Sequence, residues 1–85
     1  MYIVYALQSE KDGRIYVGLT NNLNQRLNYH NNGRVFSTKG YRPWRLFYKE
    51  ILETRVEARN REKKLKSGYG KEFLKGILRS GVAQR

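Results

Sequence analysis

Two short segments at the start of the chain predict a β-hairpin, which most constrains how the rest can pack. Residues 2–8 alternate in character and are rich in Tyr, Ile and Val, which favours a strand. The segment Lys11-Asp12-Gly13 signals a tight turn, because glycine adopts positive φ at no steric cost. Residues 14–19 continue as a second strand. Any fold of this chain must therefore cover the faces of an antiparallel pair.

Alternation sorts the side chains of this hairpin onto two faces. Three residues of the first strand share a face: Ile3, Tyr5 and Leu7. In the second strand, Tyr16 and Gly18 point away from Ile15 and Val17. Tyrosine commonly packs its ring in strands and keeps its hydroxyl wet, so packing alone can explain both tyrosines. Facing strands would also bring the two hydroxyls together, and Gly18 leaves space for a close approach.

Helix signals follow the hairpin directly. Residues 20–22 (Thr-Asn-Asn) are N-cap candidates, and Leu23 and Leu27 then recur at helical spacing. Gly33 suits the position after the last turn of this helix. Residues 34–43 are rich in basic side chains and read as a flexible connection.

The second half of the chain predicts one more strand and two helices. Pro43 marks the start of a strand over about Trp44–Glu50. Thr54 and Glu57 form the T-x-x-E pattern of a capping box, which begins a helix that runs to about Ser67.

The last helix has the clearest apolar stripe in the chain. Gly68 and Gly70 indicate a break before it, so we expect it to start at about Lys71. The stripe consists of Phe73, Leu74, Ile77 and Leu78. Gly81 would end the helix, and the last four residues would be frayed. The order β-β-α-β-α-α over residues 1–85 predicts a single small α/β (α+β) domain, a three-stranded sheet flanked by helices.

Size and charge narrow the class of function. The 85 residues include no cysteine and only one histidine, His30, which excludes disulfides, thiolate metal sites and histidine-rich zinc sites. The 18 Lys and Arg residues against 7 Asp and Glu give a net charge of +11, and residues 34–85 hold 15 of the basic and 5 of the acidic ones. This asymmetry favours a polyanionic partner, most simply nucleic acid.

The same sequence argues against a membrane as the partner. The basic residues do not back a strongly apolar helix face, and no apolar run approaches the length of a membrane span. The segment MYIVYALQ is too short, and too polar beyond Leu7, for a signal peptide. We therefore expect a cytoplasmic protein.

One carboxylate falls on the inward face of the second helix. Ala58, Glu62 and Leu65 are spaced four and then three residues apart, so they share that face. An inward carboxylate is costly unless it is paired, hydrogen-bonded or bound to a metal. An ion pair with Arg59 or Lys66, each one turn away, is therefore an alternative to a metal site.

The first helix brings an arginine and a histidine together. Arg26 and His30 are four residues apart, on the face that also holds Leu23 and Leu27. A surface arginine and a hydrogen-bonded, half-buried histidine would be the structural explanation. An arginine beside inward leucines is also typical of an anion site, since its planar fork fits a phosphate group.

These residues occur in the order found in the GIY-YIG nuclease superfamily. The triplet IVY at residues 3–5 stands where the family has its first motif, and YVG at 16–18 stands where it has its second. The segment LNQRLNYH then carries Arg26 and His30, and EARNREKKLK carries Glu62. Each triplet alone is a weak signal, whereas the ordered set over nearly the whole chain is specific. The chain therefore resembles the short, single-domain bacterial branch of this family.

The resemblance implies hydrolysis of a phosphodiester bond with one divalent metal ion. Glu62 would be the only protein ligand of a Mg²⁺ or Mn²⁺ ion, which would stabilise the leaving oxygen. Arg26 would hold a non-bridging phosphate oxygen. Tyr16 would activate the attacking water, while Tyr5 and His30 orient that water or relay its proton. A free phenol has a pKa of about 10, so the role of Tyr16 requires nearby cations or the metal-bound substrate to favour phenolate.

The chain departs from the family pattern at three places. Ile3 replaces the glycine of the first triplet but leaves Tyr5 in position. Leu19 and Thr20 follow the second triplet, where some relatives have a lysine. The last helix, KEFLKGIL, lacks an asparagine that some relatives carry there. The core set is complete, and these differences bear on how strong its activity is.

The expected substrate follows from what a chain this short can carry. Larger relatives attach domains that select a DNA site, whereas basic side chains alone grip phosphates without reading sequence. We therefore expect DNA rather than RNA, with low sequence specificity or a preference for a flap, end or nick. Gly18 would leave room for the nucleic-acid backbone, and Tyr41 and Trp44 would either stack on an unpaired base or close the core. The expected nucleic-acid contacts are Lys39, Arg42, Lys63, Lys66 and Lys71.

Two further hypotheses stay open. The chain can be a module that binds nucleic acid without cutting it, or a subunit that needs a protein partner for activity or specificity. The inward Glu62 favours the enzyme, because a mere binder has no use for a carboxylate there. The sequence carries no signal of an oligomeric state.

Overall fold

Residues 1–80 of the 85-residue chain are described by a computed structural model, and their elements follow the predicted order. The strands are β1 (Tyr2–Ser9), β2 (Ile15–Thr20) and β3 (Trp44–Leu52). The helices are α1 (Leu23–Asn31), α2 (Arg55–Lys66) and α3 (Gly68–Arg79), and a 3-10 turn spans Lys39–Tyr41. The predicted α+β class and β-β-α-β-α-α order are confirmed. Within residues 1–80, no helix is long and apolar enough to cross a lipid bilayer.

Strand β1 is the centre of the antiparallel sheet, which has the order β2-β1-β3. Tyr5 pairs with Gly18 of β2 on one side and with Lys49 of β3 on the other. Tyr16 pairs with Leu7, so Tyr5 and Tyr16 are diagonal neighbours on one face of the sheet. The predicted alternation of the hairpin is confirmed. Tyr5 thus stands on the central strand, and Tyr16 on an edge strand.

Helices cover both faces of this sheet. One face packs against α2 and α3 in a core that includes Val4, Ala6, Val17, Phe47, Ala58, Leu65 and Leu74. The other face buries Tyr5, Leu7 and Trp44, against which Leu23 and Leu27 of α1 pack. The strands therefore form a middle layer, and a side chain near the free edge of β2 can be reached from the helices on either side.

The residues predicted to cap the ends of α1 and α2 do so in the structure. The Asn22 side chain accepts a hydrogen bond from the Gln25 amide, and Gly33 after α1 has a φ of +80°. Thr54 and Glu57 form the reciprocal capping box at the start of α2. Short-range sequence signals thus place α1 and α2, which carry the charged residues of the candidate site.

The end of α2 near Ser67 is confirmed, but the start of α3 was predicted wrongly. Helix α3 begins at Gly68 rather than near Lys71, with Ser67 as its N-cap. Gly70 does not break the helix; it allows α3 to cross closely over α2, because a Cβ there would overlap the Leu65 backbone. Strand β3 also runs two residues beyond the predicted end, to Leu52. The predicted helix end at Gly81 and the frayed last four residues lie outside the described residues.

The connection between α1 and β3 is anchored, contrary to the prediction that it is flexible. Asn31 holds the Trp44 backbone at both ends: its Nδ2 donates to the carbonyl oxygen at 3.1 Å and its Oδ1 accepts from the amide at 2.7 Å. The indole Nε1 of Trp44 donates to the Thr38 carbonyl at 2.8 Å. These bonds bury Thr38 against α1, where it meets His30.

Candidate active site

A polar cavity of about 350 Å³ opens beside the edge strand β2, between α1 and α2. Tyr16, Arg26 and Glu62 line it, each from a different element. Two more arginines of α2, Arg55 and Arg59, complete its charged wall. One carboxylate thus faces three guanidinium groups, an arrangement that suits an anionic ligand and leaves one oxygen donor for a cation.

Glu62 reaches this cavity from the packed side of α2. Ala58 and Leu65 on the same face are buried, and the Glu62 side chain is only 10% exposed. Its Oε1 lies 3.5 Å from Nη1 of Arg59, and its Oε2 lies 3.3 Å from Nζ of Lys66. Both ion pairs foreseen as the alternative are therefore present, and they are long. The carboxylate faces the cavity all the same.

Arg26 carries a buried donor that no neighbouring side chain or backbone group of the described residues satisfies. Its Nε is the one buried side-chain nitrogen or oxygen atom within residues 1–80 that lacks a hydrogen-bond partner. A buried donor without an acceptor is costly, so the site gains stability when an acceptor enters. Interaction with the Tyr5 hydroxyl, and to a smaller extent with Tyr16, holds the pKa of Arg26 above its ordinary value although burial opposes the shift. Arg26 is therefore a permanent cation with a donor to spare.

Behind the cavity, a buried hydrogen-bond chain links three side chains. The Tyr5 hydroxyl lies 2.8 Å from Nε2 of His30, and Nδ1 of His30 lies 2.8 Å from Oγ1 of Thr38. The Thr38 hydroxyl donates to the Val35 carbonyl, so its oxygen accepts from Nδ1–H. That tautomer leaves Nε2 as an acceptor, to which the Tyr5 hydroxyl donates.

The protonation states of this chain follow from burial. Burial, with the charge of Arg26 as a smaller cause, lowers the pKa of His30 to about 4. Burial also raises the pKa of Tyr5 to about 12, although Arg26 opposes that shift. At neutral pH, His30 is thus uncharged and Tyr5 keeps its proton. Both residues serve as fixed dipoles rather than as charges.

The two tyrosines consequently occupy different positions. Tyr5 is fully buried, whereas Tyr16 lines the cavity. The Tyr16 ring packs edge-on against His30, with centroids 4.9 Å apart, and against Trp44 at 6.2 Å. The expectation that Gly18 makes room for nucleic acid is wrong, because a Cβ there would overlap the Tyr5 hydroxyl. Gly18 makes room for Tyr5.

The five basic residues expected to contact nucleic acid do not gather at this cavity. Lys66 forms an ion pair with Glu62, which lines the cavity, and Lys63 is exposed elsewhere on α2. Lys39 lies over the Phe36 ring, and the Arg42 Nε donates to the Lys39 carbonyl. Lys71 lines a different groove.

The two rings expected to stack on a base also have other surroundings. Trp44 is 4% exposed, with its indole N–H bonded to the Thr38 carbonyl, so of the two expected alternatives it takes the one in the core. The guanidinium of Arg14 lies 3.5 Å above the Tyr41 ring. Neither ring lines the cavity at β2.

Sequence reasoning missed Arg55 and Thr38, and it named Arg59 only as an ion-pair partner of Glu62. Arg55 and Arg59 precede Glu62 by seven and three residues, so helical spacing alone places them on its side of α2. Thr38 gave no signal, since a threonine in an irregular, basic connection has no periodic pattern that marks it as buried.

A metal site here would depend on Glu62. Within residues 1–80 there is no group of three or more His, Cys, Asp or Glu side chains that could hold a metal ion. Magnesium and manganese accept one carboxylate when water and substrate oxygens fill the other positions. The loosely paired, cavity-facing carboxylate of Glu62 fits that requirement once Arg59 and Lys66 move aside.

The fold and the site together define a known class of domain. Residues 1–75 match the GIY-YIG catalytic domain model, and the chain belongs to the GIY-YIG family. This membership indicates nuclease activity and a nucleic-acid substrate.

Within this family, the chain is similar to small bacterial UPF0213 proteins. It is 44% identical over 63 residues to a UPF0213 protein of Clostridium perfringens, which covers 73% of this chain and 67% of the relative. It is 38% identical over 68 residues to one from Staphylococcus saprophyticus, covering 79% and 83%. A solution NMR structure of a UPF0213 protein from Bacillus halodurans superposes with a TM-score of 0.55 at 31% identity, covering 91% of this chain and 85% of the other.

Proposed function

We propose that the protein is a metal-dependent endonuclease that hydrolyses phosphodiester bonds in DNA with low sequence specificity or with preference for a structure. The observation that carries this proposal is the unpartnered, buried Nε of Arg26, in a cavity that Glu62 also lines. A phosphate group is the anion that satisfies a guanidinium fork and bridges to a cation at a carboxylate. Membership of the GIY-YIG family supplies the reaction class.

The side chains of the cavity divide the reaction among them. Arg26 donates to a non-bridging oxygen of the scissile phosphate and stabilises the charge that grows there. Tyr16 acts as the general base that accepts a proton from the water as that water attacks phosphorus. The bond from phosphorus to the leaving oxygen breaks, and that oxygen takes a proton from solvent. A divalent ion held by Glu62 would supply further stabilisation of negative charge on the phosphate and the leaving oxygen.

Tyr5, His30 and Thr38 act in this proposal as positioning residues. The Tyr5 hydroxyl donates to His30, so its oxygen remains available to the Arg26 guanidinium beside it. The His30 ring supports the Tyr16 ring through their edge-on contact. The buried chain thus fixes where the base and the phosphate clamp stand relative to each other.

Plasmid nicking tests the proposal. Wild-type protein should relax supercoiled DNA with Mg²⁺ or Mn²⁺ but not with EDTA. Tyr16→Phe and Glu62→Gln should each lower the rate by about 10²–10⁴-fold. Tyr69→Phe and Glu53→Gln are matched controls, because both residues are exposed and line neither this cavity nor the groove of Lys71. Wild type that cuts no single-stranded, double-stranded or branched nucleic acid with any metal would sink the proposal.

The ion pairs of Glu62 favour a second candidate, a nucleic-acid-binding module that does not cut. Arg59 and Lys66 give the carboxylate a structural role without any metal. In that case Glu62→Gln should leave DNA affinity unchanged or raise it, and added Mn²⁺ should not alter the affinity of either protein. A nicking activity that disappears in Glu62→Gln would exclude this candidate.

A further inference from the structure

A second basic concavity lies at the far end of the β1–β2 hairpin from the active-site cavity. A groove of about 450 Å³ opens between the hairpin turn and α3. Ile15 and Leu78 contribute apolar lining, and the charged lining consists of Arg14, Lys71, Lys75 and Arg79. Among residues 1–80, no carboxylate lines this groove.

Three of these cations form a row along α3. Lys71, Lys75 and Arg79 are each four residues apart, so they share one helix face at intervals of about 6 Å. Glu72 lies 3.8 Å from Lys75, but both side chains are exposed, so this pair neutralises little. Within residues 1–80, Lys71 and Arg79 have no ion-pair partner. The row therefore presents largely uncompensated charge.

Arg14 faces this row from the hairpin. Its Nε donates to the Asp12 carboxylate at 2.8 Å, and its guanidinium lies 3.5 Å above the Tyr41 ring. These two contacts hold a long side chain that would otherwise be mobile. The groove thus has a fixed cation on one wall and a row of three on the other.

The groove and the active-site cavity lie along the same edge strand. Ile15 lines the groove and Leu19 lines the cavity, and both residues pack toward the α2 and α3 layer. They are four residues apart on β2, which is about 13 Å at 3.3 Å per residue. The two concavities are therefore only a few nucleotides of backbone apart.

We propose that this groove is a second phosphate-binding surface, which holds the nucleic-acid backbone a few nucleotides away from the phosphate in the active-site cavity. The identity of the ligand rests on the proposed nuclease function. Lysine and arginine side chains on an apolar floor bind phosphate without reading bases. The groove therefore adds affinity and fixes the direction of the strand across β2, and it adds no sequence preference.

Salt-dependent binding tests the groove without any cleavage. Fluorescence anisotropy of a short labelled duplex in EDTA gives the binding constant over a series of salt concentrations. The Lys71→Ala/Arg79→Ala variant should flatten the slope of log K against log salt by about 1.8, since each phosphate contact contributes about 0.9. Lys49→Ala/Arg34→Ala is the matched control, because it removes one lysine and one arginine from exposed positions outside both concavities. Its slope should stay near that of wild type.

The outcomes separate the groove from the nuclease proposal. Equal slopes for the two double variants, or an unchanged slope for the Lys71 variant, would overturn the groove even if wild type cuts DNA. Wild type that binds no nucleic acid would also overturn it and would point to an acidic protein as the occupant. A slope difference of the expected size in a protein that cuts nothing would support the groove and refute only the nuclease. All four positions are exposed, so thermal unfolding should show folded proteins with similar midpoints.

Discussion

The Tyr5 hydroxyl and Nε2 of His30 lie 2.8 Å apart, and both residues are completely buried. Oγ1 of Thr38 lies 2.8 Å from Nδ1, the other ring nitrogen of His30, so both nitrogens of the imidazole are hydrogen-bonded. This chain joins the central strand, α1 and the α1–β3 connection directly behind the cavity. The frame that positions Tyr16 and Arg26 is therefore buried hydrogen bonding rather than surface charge.

The first prediction concerns Thr38. Thr38→Val keeps the shape of the side chain but leaves Nδ1–H of His30 without an acceptor, which should cost about 1–3 kcal/mol of unfolding free energy. The displaced ring should lower nicking by up to about 10²-fold, as small misplacements do. Thr38→Ser should restore both. Nitrogen NMR of the only imidazole reports the tautomer directly, and a Thr38→Val protein that keeps Nδ1–H and full activity would contradict the positioning role.

Removing one hydroxyl from each tyrosine should separate their roles. Tyr5→Phe takes the donor away from His30 and should cost about 1–3 kcal/mol of unfolding free energy. Tyr16→Phe should cost less than about 1 kcal/mol, since that hydroxyl lines the cavity, yet it should lower nicking by about 10²–10⁴-fold. Urea unfolding and initial nicking rates measure the two effects. Equal losses of stability in the two variants would contradict the assignment of Tyr5 as the buried structural residue and Tyr16 as the base.

Stability should depend on pH through His30. The folded protein takes up a proton on this residue near pH 4, whereas the unfolded chain does so near 6.5. Between these values the unfolded state binds more protons, so stability rises with pH from about 4 to 6.5 and is lost on acidification through that window. At about 1.4 kcal/mol per pKa unit, the full effect is about 3 kcal/mol.

Urea unfolding at several pH values measures this dependence. His30→Gln is the comparison, because His30 is the only histidine in the chain. The variant should be less stable overall, and its stability should vary less between pH 5 and 6.5, where carboxylates contribute little. A wild-type protein whose stability is flat over that interval would show that the folded state accepts the proton as readily as the unfolded one.

Gly18 should tolerate no side chain. Gly18→Ala places a Cβ where the Tyr5 hydroxyl lies, so it should cost about 1–3 kcal/mol of unfolding free energy and weaken nicking through Tyr5. Gly40→Ala is the control, because a Cβ there meets no atom within 4 Å. Thermal unfolding compares the two variants. A shift no larger in Gly18→Ala than in Gly40→Ala would mean that Tyr5 has another place to go.

What the sequence predicted well depends on neighbours along the chain. The hairpin alternation, the Asn22 cap and the Thr54–Glu57 capping box are each decided within a few residues. The inward placement of Glu62 follows from helical spacing in the same way. Arg26, Tyr16 and Glu62 reached one cavity as the family order suggested.

What the sequence could not predict depends on contacts between distant segments. Gly70 looks like a helix breaker until the Leu65 backbone is seen against it. Gly18 looks like space for a ligand until the Tyr5 ring fills that space, and Thr38 becomes important only because Trp44 and His30 meet it. The unpartnered donor of Arg26 is likewise a property of the packed site, which no pattern in the sequence reveals.

The sheet order gives the two tyrosines different freedom to move. Tyr5 is paired on both sides, so releasing its strand breaks two ladders, whereas releasing β2 with Tyr16 breaks one. Local opening follows the number of ladders lost, so amides of β2 should exchange with solvent sooner than those of β1. Tyr16, which is proposed to contact the substrate, thus lies on the strand that opens first. The central strand, which holds Tyr5, stays closed.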